Sequence, residues 1–114
     1  RGHKVIGVTS FEHTSRVQPR HPSGKRLSEV ADIAIDNMAP YGDTSLELAG
    51  GIGVGAVSSI TAAFIAQLIT VGVAAAMQAR GKTPPVYISA NIPGGPEHNS
   101  VLEDAYGDRI RREA

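Results

Sequence analysis

The stretch Gly2-His3-Lys4-Val5-Ile6-Gly7-Val8-Thr9-Ser10 decides how this chain is read. A glycine suited to the left-handed position after a helix is followed by a short β-branched run that ends in two hydroxyls. The same grammar returns at Ala79-Arg80-Gly81, followed by Pro84-Pro85 and Val86-Tyr87-Ile88-Ser89. At the second place the helix ahead of the glycine is in the sequence. At the first, Arg1-Gly2 reads as the end of a helix that is not. Residues 1–114 are therefore expected to be the C-terminal part of a single larger αβα domain.

Between these two units the pattern is coarser. Ala31 to Asn37 alternates apolar and polar residues and predicts a short strand, with about one helical turn before it over Arg26 to Val30. Phe11 to Lys25 is polar and carries Pro19 and Pro22, which reads as a loop. Pro40 to Thr44 is rich in turn formers, and Leu46 to Leu48 reads as a short edge segment. A second helix is expected over 99–112, capped by Asn99 or Ser100, with Val101, Leu102, Ala105, Tyr106 and Ile110 on one stripe. Strands and helices in this order predict an α/β chain with a parallel sheet and right-handed crossovers. Each expected strand ends in small polar groups: Thr9-Ser10, Asp36-Asn37 and Ser89 to Asn91. In open parallel sheets the ligand crevice lies outside those carboxyl ends. Ordinary loop polarity accounts for the same residues if nothing binds.

From Leu48 to Ala79 the sequence has no charged residue. Gly50-Gly51-Ile52-Gly53-Val54-Gly55 reads as a glycine-rich loop that runs into Ala56-Val57-Ser58-Ser59-Ile60-Thr61 and a long helix over 57–79. Ser58 is placed to cap that helix, and its free N–H groups and dipole make a seat for a phosphate or carboxylate. Without a ligand, the same residues make a serine-capped helix packed closely through glycine. The run is long enough to span a bilayer. Its alanines, Gln67 and hydroxyls favour insertion too little, so a buried helix or a subunit interface is expected instead.

Composition excludes several classes. Eleven basic residues balance eleven acidic ones, and there are three Tyr, two Phe and no Trp. That is not the basic, aromatic surface of a nucleic-acid binder. No cysteine is present, which removes disulfides and zinc-thiolate sites and fits a reducing cytoplasm. The N-terminus has no apolar segment of a secretory signal.

The order Gly2, Val5 to Ser10, then Ala31-Asp32-Ile33-Ala34-Ile35, resembles the second half of sugar isomerase (SIS) domains. There a glycine-led strand ends in threonine and an alanine-aspartate pair opens the next strand. Ala56 to Ala62 is similar to the helix start of arabinose-5-phosphate isomerase relatives, with Ala56 where those carry proline. Through Ser89-Ala90-Asn91 and Glu97-His98-Asn99, the chain resembles an uncharacterised bacterial branch labelled phosphosugar or phosphoheptose isomerases. The first half of the family's domain, which supplies a serine-rich phosphate loop and often a catalytic glutamate, is not in this sequence.

The resemblance implies a three-layer parallel sheet flanked by helices, a partial doubly wound domain of flavodoxin-like type. It implies binding of a phosphorylated sugar and aldose–ketose isomerisation in the full domain, with no cofactor and no metal. Thr9, Ser10, Ser58, Ser59, Thr61 and Asn91 would contact phosphate or sugar hydroxyls. Isomerisation needs a base beside a carbonyl and often an imidazole for ring opening. Glu-His occurs twice, as Glu12-His13 and Glu97-His98, and the second pair is the proton-transfer candidate because Ile92 to Pro96 sets a defined turn before it. Either pair is otherwise a solvated loop dipeptide. Glu12, His13 and His21 offer a metal alternative, although their spacing matches no standard zinc pattern. Arg16, Arg20, Lys25 and Arg26 lie around the polar loop and are charge-assisted donors for a phosphate. A non-catalytic sugar-phosphate sensor uses the same pocket, and an assembly fragment needs none. The expected partners are a phosphorylated sugar and a second copy of the chain through the 57–79 helix, or the other half of the domain.

Overall fold

Ile6–Thr9 forms β1 and Ile33–Asp36 forms β2, and the two pair in parallel with Ile6 opposite Ile33 and Thr9 opposite Asp36. The computed structural model describes residues 2–107 and 109. A parallel pair cannot be joined by a tight turn. Here the connection carries two short helices, α1 (Phe11–Arg16) and α2 (Leu27–Val30). Gly7 is buried beneath α2: a Cβ there would lie 3.0 Å from Ala31 Cβ and 3.1 Å from Leu27 Cγ. Glycine is what lets the helix approach the strand. At the start of the pair, Asp32 accepts from Lys4 Nζ at 2.7 Å and from the Val5 N–H at 2.9 Å.

The expected loop over Phe11 to Lys25 contains α1, a helix its polar composition conceals. Ser10 caps it, accepting the His13 N–H at 2.9 Å. At the other end Arg26 donates to the carbonyls of Thr14 at 3.0 Å and Val17 at 2.8 Å. A guanidinium there satisfies carbonyls that a helix end leaves open.

The glycine-rich stretch is not a loop. Thr44–Leu48 forms β3 and Ile52–Ala56 forms β4, an antiparallel hairpin with Leu46 opposite Val54 and Leu48 opposite Ile52. Gly50 and Gly51 turn the chain at φ 86° and 77°, which other residues adopt only with strain. Among the described residues the architecture is mixed α/β, with one parallel and one antiparallel two-stranded sheet.

Val57–Ala79 is a continuous helix, α3, as its uncharged pattern predicts. It ends as read at Arg80-Gly81. The Gly81 N–H reaches Gln78 O and the Lys82 N–H reaches Met77 O, with Gly81 at φ 69°. This double bond pattern closes a helix through a left-handed glycine. The helix is long and apolar enough to cross a membrane by length and composition. A buried helix or a subunit interface was expected of it; the first is not met within this chain, where none of its residues is buried. Ile60 and Phe64 remain 74% and 63% exposed.

By packing, the chain divides into two units, Arg1–Thr70 and Val71–Ala114. The first holds both sheets and the buried Asn37 and Ala39. In the second, Val86–Ser89 pairs with no strand among the described residues, and the Val86 N–H closes a tight turn on Pro84 O at 2.9 Å, so the third expected strand is not formed. The last helix, α4, runs Gly95–Tyr106. It begins four residues ahead of the expected start, with Gly94 at its N-cap and proline in its first turn. Ile110, placed on its apolar stripe from the pattern, lies outside the described residues, as does Arg1.

Candidate functional site

The carboxyl ends of β1 and β2 lie side by side, because Thr9 pairs with Asp36 and the Asn37 N–H continues to Thr9 O at 3.1 Å. Two of the three polar strand ends therefore meet, as expected. Their side chains are largely committed to building the junction. Asp36 accepts the N–H groups of Phe11 at 3.1 Å and Met38 at 2.9 Å. Ser10, besides capping α1, donates to Ala39 O at 2.5 Å. Asn37 accepts the Ala39 N–H at 3.0 Å. Thr9 is the freer group, sharing one 3.3 Å contact with Thr14.

The loop that follows β2 carries an aromatic and an acid across to α3. Tyr41 stacks on His13 with ring centroids 5.4 Å apart, and the Arg16 guanidinium stands 5.3 Å from the Tyr41 ring. Arg16 also pairs with Glu12 at 3.0 Å. His13 Nδ1 lies 3.2 Å from the Gly42 N–H. A backbone N–H can only donate, so Nδ1 is the acceptor and the neutral ring carries its proton on Nε2.

Asp43 then corrects the reading of Ser58. Ser58 is not the cap that accepts an orphan N–H. Its own N–H donates to Asp43 Oδ1 at 2.6 Å, and its hydroxyl donates to Oδ2 at 2.5 Å. The carboxylate sits where an anionic ligand was expected, at the positive end of the α3 dipole. These two bonds to Ser58, the hydroxyl foremost, hold the Asp43 carboxyl below the usual aspartate range, and His13 adds a smaller electrostatic pull. Ser59 is exposed beside it. Thr61 donates back to Val57 O at 3.1 Å, a local helix bond.

Sequence reasoning missed Asp43 because its meeting with Ser58 depends on the hairpin. Thr44 pairs with Ala56, so the residue before the one and the residues after the other become neighbours. The available signal was Leu46-x-Leu48 and Ile52-x-Val54 flanking Gly50-Gly51, a hairpin pattern.

Asn91, Glu97 and His98 belong to the second unit. Asn91 is exposed after a turn in which its N–H meets Ser89 Oγ at 3.2 Å. Glu97 lies in the first turn of α4. His98 Nε2 lies 3.0 Å from Val86 O, so that nitrogen carries the proton and Nδ1 of the neutral ring is left as acceptor. Asn99 is not a helix cap: its Oδ1 accepts the Ile88 N–H at 3.0 Å and its Nδ2 donates to Ile88 O at 2.9 Å. One amide thereby supplies both bonds that a neighbouring strand would make. Gly95 is buried against the Ser89 carbonyl, where a Cβ cannot fit.

A cleft of about 500 Å³ opens between α1 and the loop that leads to α2. Among its lining residues are His13, Arg20, His21, Lys25 and Arg26, and no carboxylate. Glu12, His13 and His21 do not form a metal cluster, and among the described residues no group of three metal-ligating side chains exists.

No family model matches the chain. It is 43% identical over 111 residues to a UPF0309 protein of Listeria monocytogenes, covering 96% of this chain and 47% of that protein. A UPF0309 protein of Thermoanaerobacter pseudethanolicus is 36% identical over 114 residues, covering 97% and 46%. One from Streptomyces coelicolor is 36% identical over 110 residues, covering 96% and 44%. Their shared name states no activity. The chain is similar to these bacterial proteins along nearly all of its own length and a little under half of theirs.

Proposed function

We propose that this chain contributes to a phosphosugar-binding site of SIS type, its β1–β2 pair forming part of a larger three-layer parallel sheet in the full domain. The observation that carries the reading is the meeting of two polar strand ends at one edge of a parallel pair, the place where open α/β sheets bind ligands. Thr9 and Ser59 keep hydroxyls for a polyol, and His13 and Tyr41 border the same loop. Asp43 holds the start of α3, which moves Ser58 from direct ligand contact to positioning.

Within the second unit taken by itself, Glu97 is the candidate base for isomerisation, and His98 Nδ1, which carries no proton in the neutral ring, is the candidate acceptor of the anomeric hydroxyl proton in ring opening. Exchange of the substrate's C2 hydrogen with solvent tests this. The Glu97→Gln variant is expected to abolish exchange while sugar-phosphate binding persists. Wild-type protein that binds sugar phosphates without exchange would support the sensor instead. One observation favours that second reading: His98 and Asn99 both fasten the segment at Val86 and Ile88, a positioning duty.

Binding itself is tested by thermal-shift titration with a panel of sugar phosphates. A ligand selective for the native state raises the melting temperature with concentration. A flat response across the panel would overturn the reading.

A further inference from the structure

We propose that Asp36 and Met38 hold the hydroxyl-bearing carbon chain of the ligand, the carboxylate accepting a hydroxyl and the thioether side chain lying against C–H groups. The proposal rests on the phosphosugar reading above. It concerns the carbon chain and not the phosphate, whose serine-rich loop is not in this sequence.

Met38 stands two residues past β2 with φ at 58°. That left-handed conformation is unfavourable for a residue with a Cβ, whereas glycine adopts it freely. Three side-chain bonds enforce it. Asp36 Oδ1 accepts the Met38 N–H at 2.9 Å, Asn37 Oδ1 accepts the Ala39 N–H at 3.0 Å, and the Ser10 hydroxyl donates to Ala39 O at 2.5 Å. Asn37 and Ala39, on either side, are buried. Met38 between them is 78% exposed, more than any other large apolar side chain among the described residues. The clamps therefore fix a strained backbone and present a side chain that does little packing within this chain. Strain held in place by its surroundings clusters at ligand-binding sites.

Asp36 supplies the polar half. The N–H groups of Phe11 and Met38 both go to its Oδ1. Among the described residues Oδ2 takes no hydrogen bond and no cation pairs with Asp36. An ionised carboxylate only accepts, so a ligand hydroxyl is the donor that Oδ2 lacks, and the bond is charge-assisted. Thr9, opposite Asp36 in register, adds a hydroxyl that both donates and accepts. An acceptor, a hydroxyl and an apolar side chain at the carboxyl edge of a parallel pair fit a polyol, which offers hydroxyls and C–H groups along one chain. A phosphate would be repelled by the Asp36 charge.

The experiment measures binding of inorganic phosphate and of a panel of sugar phosphates by calorimetry, with thermal melting of each protein alone. Wild type is compared with Met38→Gly and Asp36→Asn. The asparagine keeps an oxygen for the Phe11 and Met38 N–H groups, and circular dichroism verifies the fold. Met38→Gly is expected to melt higher, because relief of the left-handed strain outweighs the chain entropy that glycine adds. It is nevertheless expected to bind sugar phosphates about tenfold more weakly, through the lost apolar contact. Asp36→Asn is expected to weaken them by about tenfold or more. Inorganic phosphate is expected to treat all three proteins alike. Sugar phosphates that bind wild type and both variants equally would overturn the contact while leaving the phosphosugar reading standing. So would a Met38→Gly protein that melts no higher than wild type, since Met38 would then not be held against its backbone preference. Inorganic phosphate weakened as much as the sugar phosphates would overturn it too, by placing the loss on the phosphate. A wild type that binds no sugar phosphate would overturn the phosphosugar reading and this contact with it.

Discussion

Asp43 holds a positive φ of 59° while both its carboxylate oxygens receive Ser58. Aspartate tolerates that left-handed geometry better than most residues. The bonds from Ser58 favour the charged form, so the folded pKa lies below the unfolded one. A depressed acid contributes stability above its unfolded pKa, and the contribution is lost as pH falls through the folded value. The clamp is therefore intact at neutral pH and opens only below the ordinary aspartate range. The Ser58 amide signal is expected to titrate with a midpoint under about 3.9. In Asp43→Asn that transition disappears. A midpoint at the unperturbed value would mean that the clamp does not form in solution. Ser10 is the second residue whose hydroxyl works both ways, capping α1 and holding Ala39. Ser10→Ala is expected to cost about 1 kcal/mol by chemical denaturation, the usual loss for a helix cap.

At the scale of elements, the segment Val86–Ser89 shows how a strand pattern stays unpaired. Its side chains suit a sheet, but among the described residues it pairs with no strand, and the Asn99 amide takes both backbone groups of Ile88. Asn99→Ala removes both bonds to Ile88 and is expected to destabilise the second unit by about 1 kcal/mol. The Ile88 amide should then exchange with solvent faster while amides within α4 stay protected. Unchanged Ile88 exchange would show that the segment is held by something other than Asn99. The hairpin poses the reverse case. Gly53 sits where a Cβ would fall 2.6 Å from Thr44 Oγ1, so the glycines serve strand packing and not ligand access.

At the scale of the molecule, apolar surface stands uncovered. Ile60, Phe64 and Leu68 recur four residues apart along α3 and all are exposed, as are Leu46, Leu48, Ile52 and Val54 on the hairpin. No large side chain is fully buried among the described residues. Such surfaces mark association sites. We propose that a second copy, or the remaining half of a longer protein of the relatives' kind, covers α3. Light scattering of this 11.9 kDa chain is expected to give a dimer or larger species, and Ile60→Lys/Leu68→Lys to shift it toward monomer. A well-folded wild-type monomer at low micromolar concentration would overturn this picture of α3.

What the sequence determined by itself are features that local chemistry settles. The uncharged run from Val57 to Ala79 dictates a helix, Gly81 ends it, and the alternation from Ala31 to Asn37 makes a strand. Hydrophobic period and backbone freedom act over a few residues, so they are legible without a fold. The polar strand ends were legible too, and two of them do meet. Tertiary structure decided which of those groups are available. Ser58 faces Asp43 only because the hairpin register sets Thr44 against Ala56. Arg26 holds the end of α1 from beyond a nine-residue separation, and Asn99 reaches Ile88 across eleven. A side chain's partner depends on distance in space, and no local pattern encodes a pairing that the chain's turns have yet to create.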